Sequence, residues 1–221
     1  MEFIINIFFY LIMYILIDYF LGDNIKGKYY LIHSINNMYI VYLTLPDLFY
    51  TYQNFTNFYN YQSDITAVIL TYALHLYHII VYFNKLRFDD WLHHILMCGV
   101  ALPCALMSNS GSLLGHSLFF LTGLPGGIDY FLMFLNRNNY IKRITEKKIN
   151  CYLNLWIRCP GCIAHSTLTI LAYNMFYEII GYNYIKLFSC WFTTIIVYWN
   201  GIYFMNQVVE NYTLERSRIK F

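Results

Sequence analysis

The sequence predicts an all-α, polytopic membrane protein with about seven transmembrane helices. Three observations support this fold class: 59% of the 221 residues are hydrophobic, only 12% are charged, and the apolar residues form long continuous stretches. An ordinary soluble domain carries about 25% charged residues, so this chain lacks roughly half of the usual water-facing surface. The composition therefore excludes a soluble globular protein, a disordered chain and a nucleic-acid-binding protein.

Seven stretches are long and apolar enough for transmembrane helices, since about 20 apolar residues cross a hydrocarbon core of about 30 Å. In chain order they are Phe3–Leu21, Met38–Tyr52, Ile65–Phe83, Trp91–Met107, Leu113–Leu135, Tyr152–Met175 and Leu187–Gln207. The second stretch is short and contains Pro46 and Asp47. In the fifth, the glycines and proline between Gly123 and Asp129 predict either a break whose backbone faces a cavity or a kink that allows close helix packing.

The basic residues predict the orientation of these helices. When the segments between the stretches are assigned alternately to two faces, twelve of the 14 Lys and Arg residues fall on one face. Lys186 lies on the other face, and Arg158 lies inside the sixth stretch. The positive-inside rule then predicts an outside or lumenal N-terminus and a cytosolic C-terminus. We divide the chain into an N-terminal transmembrane helix with its cytosolic loop (1–30), a six-helix membrane domain (31–211) and a cytosolic tail (212–221).

Ionisable side chains at membrane depth are candidate functional residues, because they are costly to keep there. At 1.5 Å rise per residue, four of the predicted helices bring polar groups to within roughly 10 Å of the cytosolic boundary. These groups are His78, His93, His94, Asp129 and Arg158. His75 lies one turn deeper than His78, and His165 lies two turns beyond Arg158. The arrangement predicts a cavity that opens toward the cytosolic leaflet.

The spacing of the carboxylates and histidines suggests how this cavity works. Asp89 and His93, and likewise Asp90 and His94, are four residues apart if the helix begins at Phe88. A carboxylate one turn away orients an imidazole and stabilises its protonated form, as a general base or nucleophile requires. A single histidine in a membrane is more often a hydrogen-bond partner between helices, but the adjacent pair favours catalysis. The predicted catalytic residues are His93, His94, Asp89, Asp90 and Asp129, and the predicted substrate-cavity residues are His75, His78, Arg158 and His165.

Metal and cofactor sites are the alternatives to this catalytic prediction. One set of residues that suits zinc, which accepts imidazole and carboxylate ligands, is His78, His93, His94 and Asp129. The spacing does not require a metal there. A haem between His75 or His78 and His165 is disfavoured, because no second pair of histidines lies at a matching depth. A di-iron desaturase needs more histidines than the seven in this chain. We therefore predict no metal and no cofactor.

The segment from Leu86 to Met97, with the letters LRFDDWLHHILM, resembles the Lag motif of the TLC domain. This family includes ceramide synthases and TRAM-like proteins, and its motif places a basic residue, an acidic residue and a His-His pair at the cytosolic start of a helix. The resemblance covers about 34–211 and implies six helices in a barrel around a lipid-sized cavity. Three features differ from ceramide synthases: the acidic residue is closer to the His pair, Met97 replaces a Thr, and Gly123 stands where many relatives have Glu.

The resemblance implies transfer of an acyl group from acyl-CoA, as co-substrate, to a long-chain amine. One of His93 or His94 would act as the base, or as a nucleophile that forms an acyl-imidazole. Its orientation would come from Asp89, Asp90 or Asp129. The implied partners are membrane lipids and the implied location is the endoplasmic reticulum. The alternatives are a non-catalytic TLC protein that binds lipid and regulates membrane composition or trafficking, and a lipid-binding receptor or carrier. The oligomeric state is not predicted.

Overall fold

The computed structural model describes residues 1–22, 25–108, 110–181 and 183–219, without the side chains of Asp89, Ile180 and Ile219. These residues form helices and no strand, which confirms the predicted all-α class. The α-helices are α1 (Glu2–Leu21), α2 (Lys28–Gln53), α3 (Thr66–Tyr82), α4 (Phe88–Leu96), α5 (Leu102–Met107), α6 (Leu113–Leu118), α7 (Leu124–Arg137), α8 (Arg143–Leu153), α9 (Cys159–Ile180) and α10 (Tyr184–Ile219). Short 3₁₀ helices cover Phe55–Asn60 and Phe83–Lys85.

Three π-helical segments join pairs of these helices end to end. They are Met97–Ala101 between α4 and α5, Phe119–Gly123 between α6 and α7, and Asn154–Arg158 between α8 and α9. Each segment is followed, two residues later, by a proline: Pro103, Pro125 or Pro160. A proline ring clashes with the carbonyl four residues earlier, which lies at the middle of each π segment, and the wider π turn relieves that clash. The described residues therefore form seven continuous helical rods.

Five of these rods contain segments long and apolar enough to cross a membrane: Glu2–Leu21, Thr66–Lys85, Asp90–Met107, Leu113–Arg137 and Tyr184–Arg218. They coincide with five of the seven predicted stretches. The other two predicted stretches lie in α2 and in the α8–α9 rod, which are more polar. Much of this polarity is buried, since Asn37 and Asp47 of α2 are 2% and 1% exposed and His165 of α9 is 2% exposed. These polar side chains therefore face neighbouring helices and not the outer surface.

Helix α2 begins at Lys28, earlier than the predicted start at Met38. The extra turns are polar in composition, yet their side chains are bonded inside the bundle. The Tyr14 hydroxyl donates to Asn36 Oδ1 at 2.5 Å, and the Ser34 hydroxyl donates to the Gly127 carbonyl at 2.8 Å. Hydropathy alone misplaced the start because it scores such groups as water-facing, whereas partners on other helices satisfy them.

The rods pack against one another in a regular order. Helix α1 contacts α3 and α2, and α2 contacts α3, α6 and α7. Helix α7 contacts α8, both α8 and α9 pack on α10, and α10 contacts α5. The largest apolar cluster joins α1, α2 and α3 with Leu102 of α5 and Leu118 of α6. Six rods thus follow one another as neighbours, with α1 attached beside them.

Several segments that carry basic residues meet at one end of the bundle, which we call the basic end. It comprises the start of α2, the end of α7, the start of α8 and the end of α10. The Asn138 amide donates to the Lys26 carbonyl at 2.8 Å, and Arg143 lies 3.3 Å from Glu215. Three of the four segments that the charge pattern assigned to one face are thus joined by direct contacts.

The glycines after Pro125 allow α7 to approach α2 closely. A Cβ atom on Gly126 would lie 2.6 Å from Asn37 Nδ2, and one on Gly127 would lie 2.7 Å from the Met38 sulfur. Both distances are shorter than the closest approach of a Cβ atom to a non-bonded atom. Of the two predictions for this segment, the structure therefore supports close packing, with a π turn and not a break in the rod.

Candidate functional site

Four histidines of α3 and α4 form the candidate site, which we call the histidine cluster: His75, His78, His93 and His94. His75 and His78 share one face of α3 because they are three residues apart. His75 Nε2 lies 3.3 Å from His93 Nε2, and His94 Nε2 lies 2.9 Å from His78 Nδ1. His75 and His94 are only 9% and 4% exposed, whereas the side chain of His93 is exposed. The structure thus brings together four histidines that the sequence had assigned to catalysis and to the cavity.

Two contacts hold the α3 histidines in place. His75 Nδ1 lies 2.7 Å from the carbonyl of Thr71. A carbonyl only accepts hydrogen bonds, so Nδ1 carries the proton and Nε2 of the neutral ring holds the free lone pair. His78 stacks on Tyr29, with ring centroids 4.6 Å apart and an angle of 29° between the rings. The lone pair of His75 therefore has a fixed direction, toward His93.

A fifth histidine, His33 of α2, lies beside the cluster and was not predicted. Its ring centroid is 5.6 Å from that of His78 and 4.6 Å from that of Tyr130. Its Nδ1 donates to the Tyr29 carbonyl at 3.0 Å. The signal in the sequence is the four-residue spacing of Tyr29 and His33, which places both on one helical face. It was missed because the predicted span began at Met38.

One of the two carboxylates before the His pair, Asp90, contacts the start of its own helix and not the predicted histidine. Asp90 caps α4, since its Oδ2 accepts hydrogen bonds from the Arg87 backbone N–H at 2.9 Å and from Arg87 Nε at 3.4 Å. His94 is oriented by His78 in place of Asp90. The Asp90 charge still interacts electrostatically with both of these histidines. The side chain of Asp89 lies outside the described part of the structure.

Arg158 and Asp129 form a second polar group. Arg158 Nη2 donates to Asn200 Oδ1 at 3.2 Å, and its guanidinium carbon lies 4.3 Å from the centroid of the Phe204 ring. Its charge interacts with Asp129 and with His93. Within the described residues, Asp129 Oδ1 and Arg158 Nε are buried and have no hydrogen-bond partner. Unpaired buried polar atoms are rare and call for a water or a ligand.

His165 belongs to another polar cluster. It stacks on His116, with ring centroids 5.5 Å apart, and its Nε2 lies 3.4 Å from Thr169 Oγ1. His116 Nε2 in turn lies 3.1 Å from the Tyr52 hydroxyl oxygen. Among the described side chains, none of these contacts reaches the histidine cluster. The structure therefore does not bring His165 together with the other predicted cavity residues.

Comparison of the chain with protein-family models, with curated proteins and with solved structures finds no match. The chemistry of the site must therefore be inferred from its own geometry. Imidazoles with fixed orientation can accept a proton, attack a carbonyl carbon or bind a metal ion. Each of these needs an accessible nitrogen, and His93 supplies the exposed side of the cluster.

Proposed function

We propose that the chain is a multi-pass membrane protein of the TLC type that acts on membrane lipids through the histidine cluster. The observation that carries the proposal is the meeting of four imidazoles from α3 and α4 at one place. Such groups are costly inside a membrane, so their presence there indicates a function. Arg158 and Asp129 each have a buried polar atom with no hydrogen-bond partner among the described residues, and these atoms are available to bind a lipid headgroup.

In the proposed topology all seven rods span the membrane. Five are apolar enough by themselves, and α2 and the α8–α9 rod cross with their polar side chains turned toward neighbouring helices. The six neighbouring rods correspond to the six-helix barrel of the TLC resemblance, and α1 is the separate first span. The basic end faces the cytosol by the positive-inside rule, which puts the N-terminus in the lumen of the endoplasmic reticulum.

The proposed reaction is transfer of an acyl group from acyl-CoA to a long-chain amine. The amine nitrogen attacks the thioester carbonyl carbon, a C–N bond forms, and the C–S bond breaks. An imidazole of His93 or His94 accepts the amine proton and returns it to the departing thiolate, so that the products are an amide and coenzyme A. Exposed cations at the start of α4, such as Arg87, attract the phosphates of the co-substrate.

The second candidate function is lipid binding without catalysis. It is favoured by one observation: Asp90, the expected partner of His94, caps its own helix instead. Without Asp90 to orient it, His94 would recognise a lipid headgroup by hydrogen bonds. In that case the protein would regulate membrane composition or trafficking.

Cells that express the wild-type chain are expected to accumulate an amide-linked lipid, which lipidomics by mass spectrometry will detect. The variant His93→Ala/His94→Ala is expected to lose at least about 100-fold in the rate of its formation, since acid–base catalysis contributes factors of this size. The matched control is His116→Ala, which removes a histidine of the other cluster. Lipid profiles that are equal in the wild type and the double variant, while both differ from cells without the protein, would establish the non-catalytic function.

A further inference from the structure

Three histidines of the cluster each offer a ring nitrogen close enough to the others to share a metal ion. One ring nitrogen from each of His75, His93 and His94 lies within 4.8 Å of the other two. The residues come from two rods, so the grouping is a product of the tertiary structure and not of a local motif. The zinc set weighed from the sequence lacked His75 and included Asp129, and only the packing of α3 against α4 shows which three nitrogens converge.

The separation between His75 and His93 suits a shared ion. Their Nε2 atoms are 3.3 Å apart, which is longer than the 2.9–3.0 Å at which N–H donors usually bond. Two imidazole nitrogens bound to one tetrahedral zinc ion at about 2.0–2.1 Å stand about 3.4 Å apart. His75 already meets the electronic requirement, because its Nδ1 donates to the Thr71 carbonyl and its Nε2 carries the lone pair.

His94 provides independent evidence for a ligand. It is 4% exposed, and its Nε2 is held by His78 at 2.9 Å. Its Nδ1 is buried and has no hydrogen-bond partner among the residues that the structure describes. A buried polar atom without a partner is destabilising, and an ion or an ordered water in the cluster would remove that cost.

We infer that His75, His93 and His94 bind a divalent transition-metal ion, with Zn²⁺ as the ion that three imidazoles suit best. The Thr71 carbonyl and the His78 ring orient two of the ligands from outside, as second partners of metal-bound histidines commonly do. Three protein ligands leave one position open, on the side where His93 is exposed, for a water or a lipid carbonyl oxygen. The inference rests on the proposed function only for the choice of this cluster as the functional centre. If the ion is bound, the lone pairs of His93 and His94 are used for coordination, so neither ring acts as the proton acceptor proposed above, and the ion would supply Lewis-acid chemistry in its place.

The test is the metal content of the full-length chain, purified in detergent through an affinity tag without histidines and after incubation with ZnCl₂ and desalting. Inductively coupled plasma mass spectrometry is expected to find about one zinc ion per chain in the wild type. The variants His75→Ala and His94→Ala are expected to retain less than about a fifth of it, and His116→Ala to retain all of it. Wild-type zinc below about a fifth of an ion per chain, or equal zinc in wild type and both cluster variants, would overturn the inference.

A second measurement covers the case in which a variant does not fold. Wild-type protein loaded with Co²⁺ is expected to show the visible absorption bands of a tetrahedral site with nitrogen ligands, and absence of these bands would count against the site. The result is separable from the proposed function. A metal-loaded protein that leaves lipids unchanged contradicts the lipid chemistry alone, whereas lipid chemistry by a metal-free protein contradicts the metal site alone.

Discussion

Replacement of Asp18 by alanine is expected to lower the free energy of unfolding by about 3–5 kcal/mol, the usual cost of breaking a buried ion pair. Asp18 Oδ1 lies 2.8 Å from Lys28 Nζ, and Oδ2 accepts hydrogen bonds from the hydroxyls of Tyr77 at 2.6 Å and Tyr82 at 2.7 Å. The carboxylate is nearly buried, at 9% side-chain exposure. It therefore joins α1 to the start of α2 and to the end of α3, and its loss leaves a positive charge and two hydroxyls without this partner.

The measurement is thermal or denaturant-induced unfolding of the purified protein in one detergent. The control Glu2→Ala removes an exposed acid from the same helix and is expected to change stability by less than about 0.5 kcal/mol. The variant Tyr77→Phe removes the hydrogen bond from this hydroxyl to the carboxylate and is expected to cost about 1.5–3 kcal/mol. If Asp18→Ala were as stable as Glu2→Ala, the network would not contribute to the attachment of α1.

Replacement of Gly115 by valine is expected to destabilise the protein by several kcal/mol, and replacement by alanine by about 1–3 kcal/mol. A Cβ atom at this position of α6 would lie 2.6 Å from the Cβ atom of Asp47 on α2. Asp47 is 1% exposed and accepts a hydrogen bond from the Ser63 hydroxyl, so moving it aside would break that bond. A side chain at position 115 must therefore push two helices apart.

The matched control for this prediction is Gly99→Ala. Gly99 also lies in a helical rod, but a Cβ atom there would meet no atom of the described part of the chain within 4 Å. Alanine at such a position is expected to be neutral or to stabilise by about 0.5–1 kcal/mol. Unfolding temperatures of the two alanine variants, measured side by side, check the prediction. Equal temperatures would mean that α6 and α2 do not depend on close contact at Gly115.

The sequence alone was sufficient for the helical class and for the positions of most rods. A helix that crosses a membrane satisfies its own backbone, so its presence depends on local apolar composition and little on its neighbours. The same rule placed the start of α2 too late, because His33 and Asn36 are polar residues whose hydrogen bonds are made inside the bundle. The prolines at 103, 125 and 160 act locally as well, through the clash that each one makes one turn upstream.

The composition of the candidate site was only partly predictable. The His93–His94 pair and the three-residue spacing of His75 and His78 were visible in the chain, since they depend on positions within one helix. Three features were not visible in the chain. They are the pairing of individual histidines across α3 and α4, the position of His33 beside them, and the separate grouping of His165 with His116. Capping of α4 by Asp90 was a local alternative to the predicted contact with His94, and both fit the same spacing.

The sequence by itself thus determined that this protein is a bundle of long apolar helices with a few polar side chains among them. Only the tertiary structure decided which of those side chains meet. The physical reason is that each residue turns a helix by about 100° and advances it by 1.5 Å, so a small rotation or shift of one rod exchanges its contacts completely. Close packing at glycines such as Gly115 and Gly126 sets that rotation and shift, and it depends on the shapes of two helices at once.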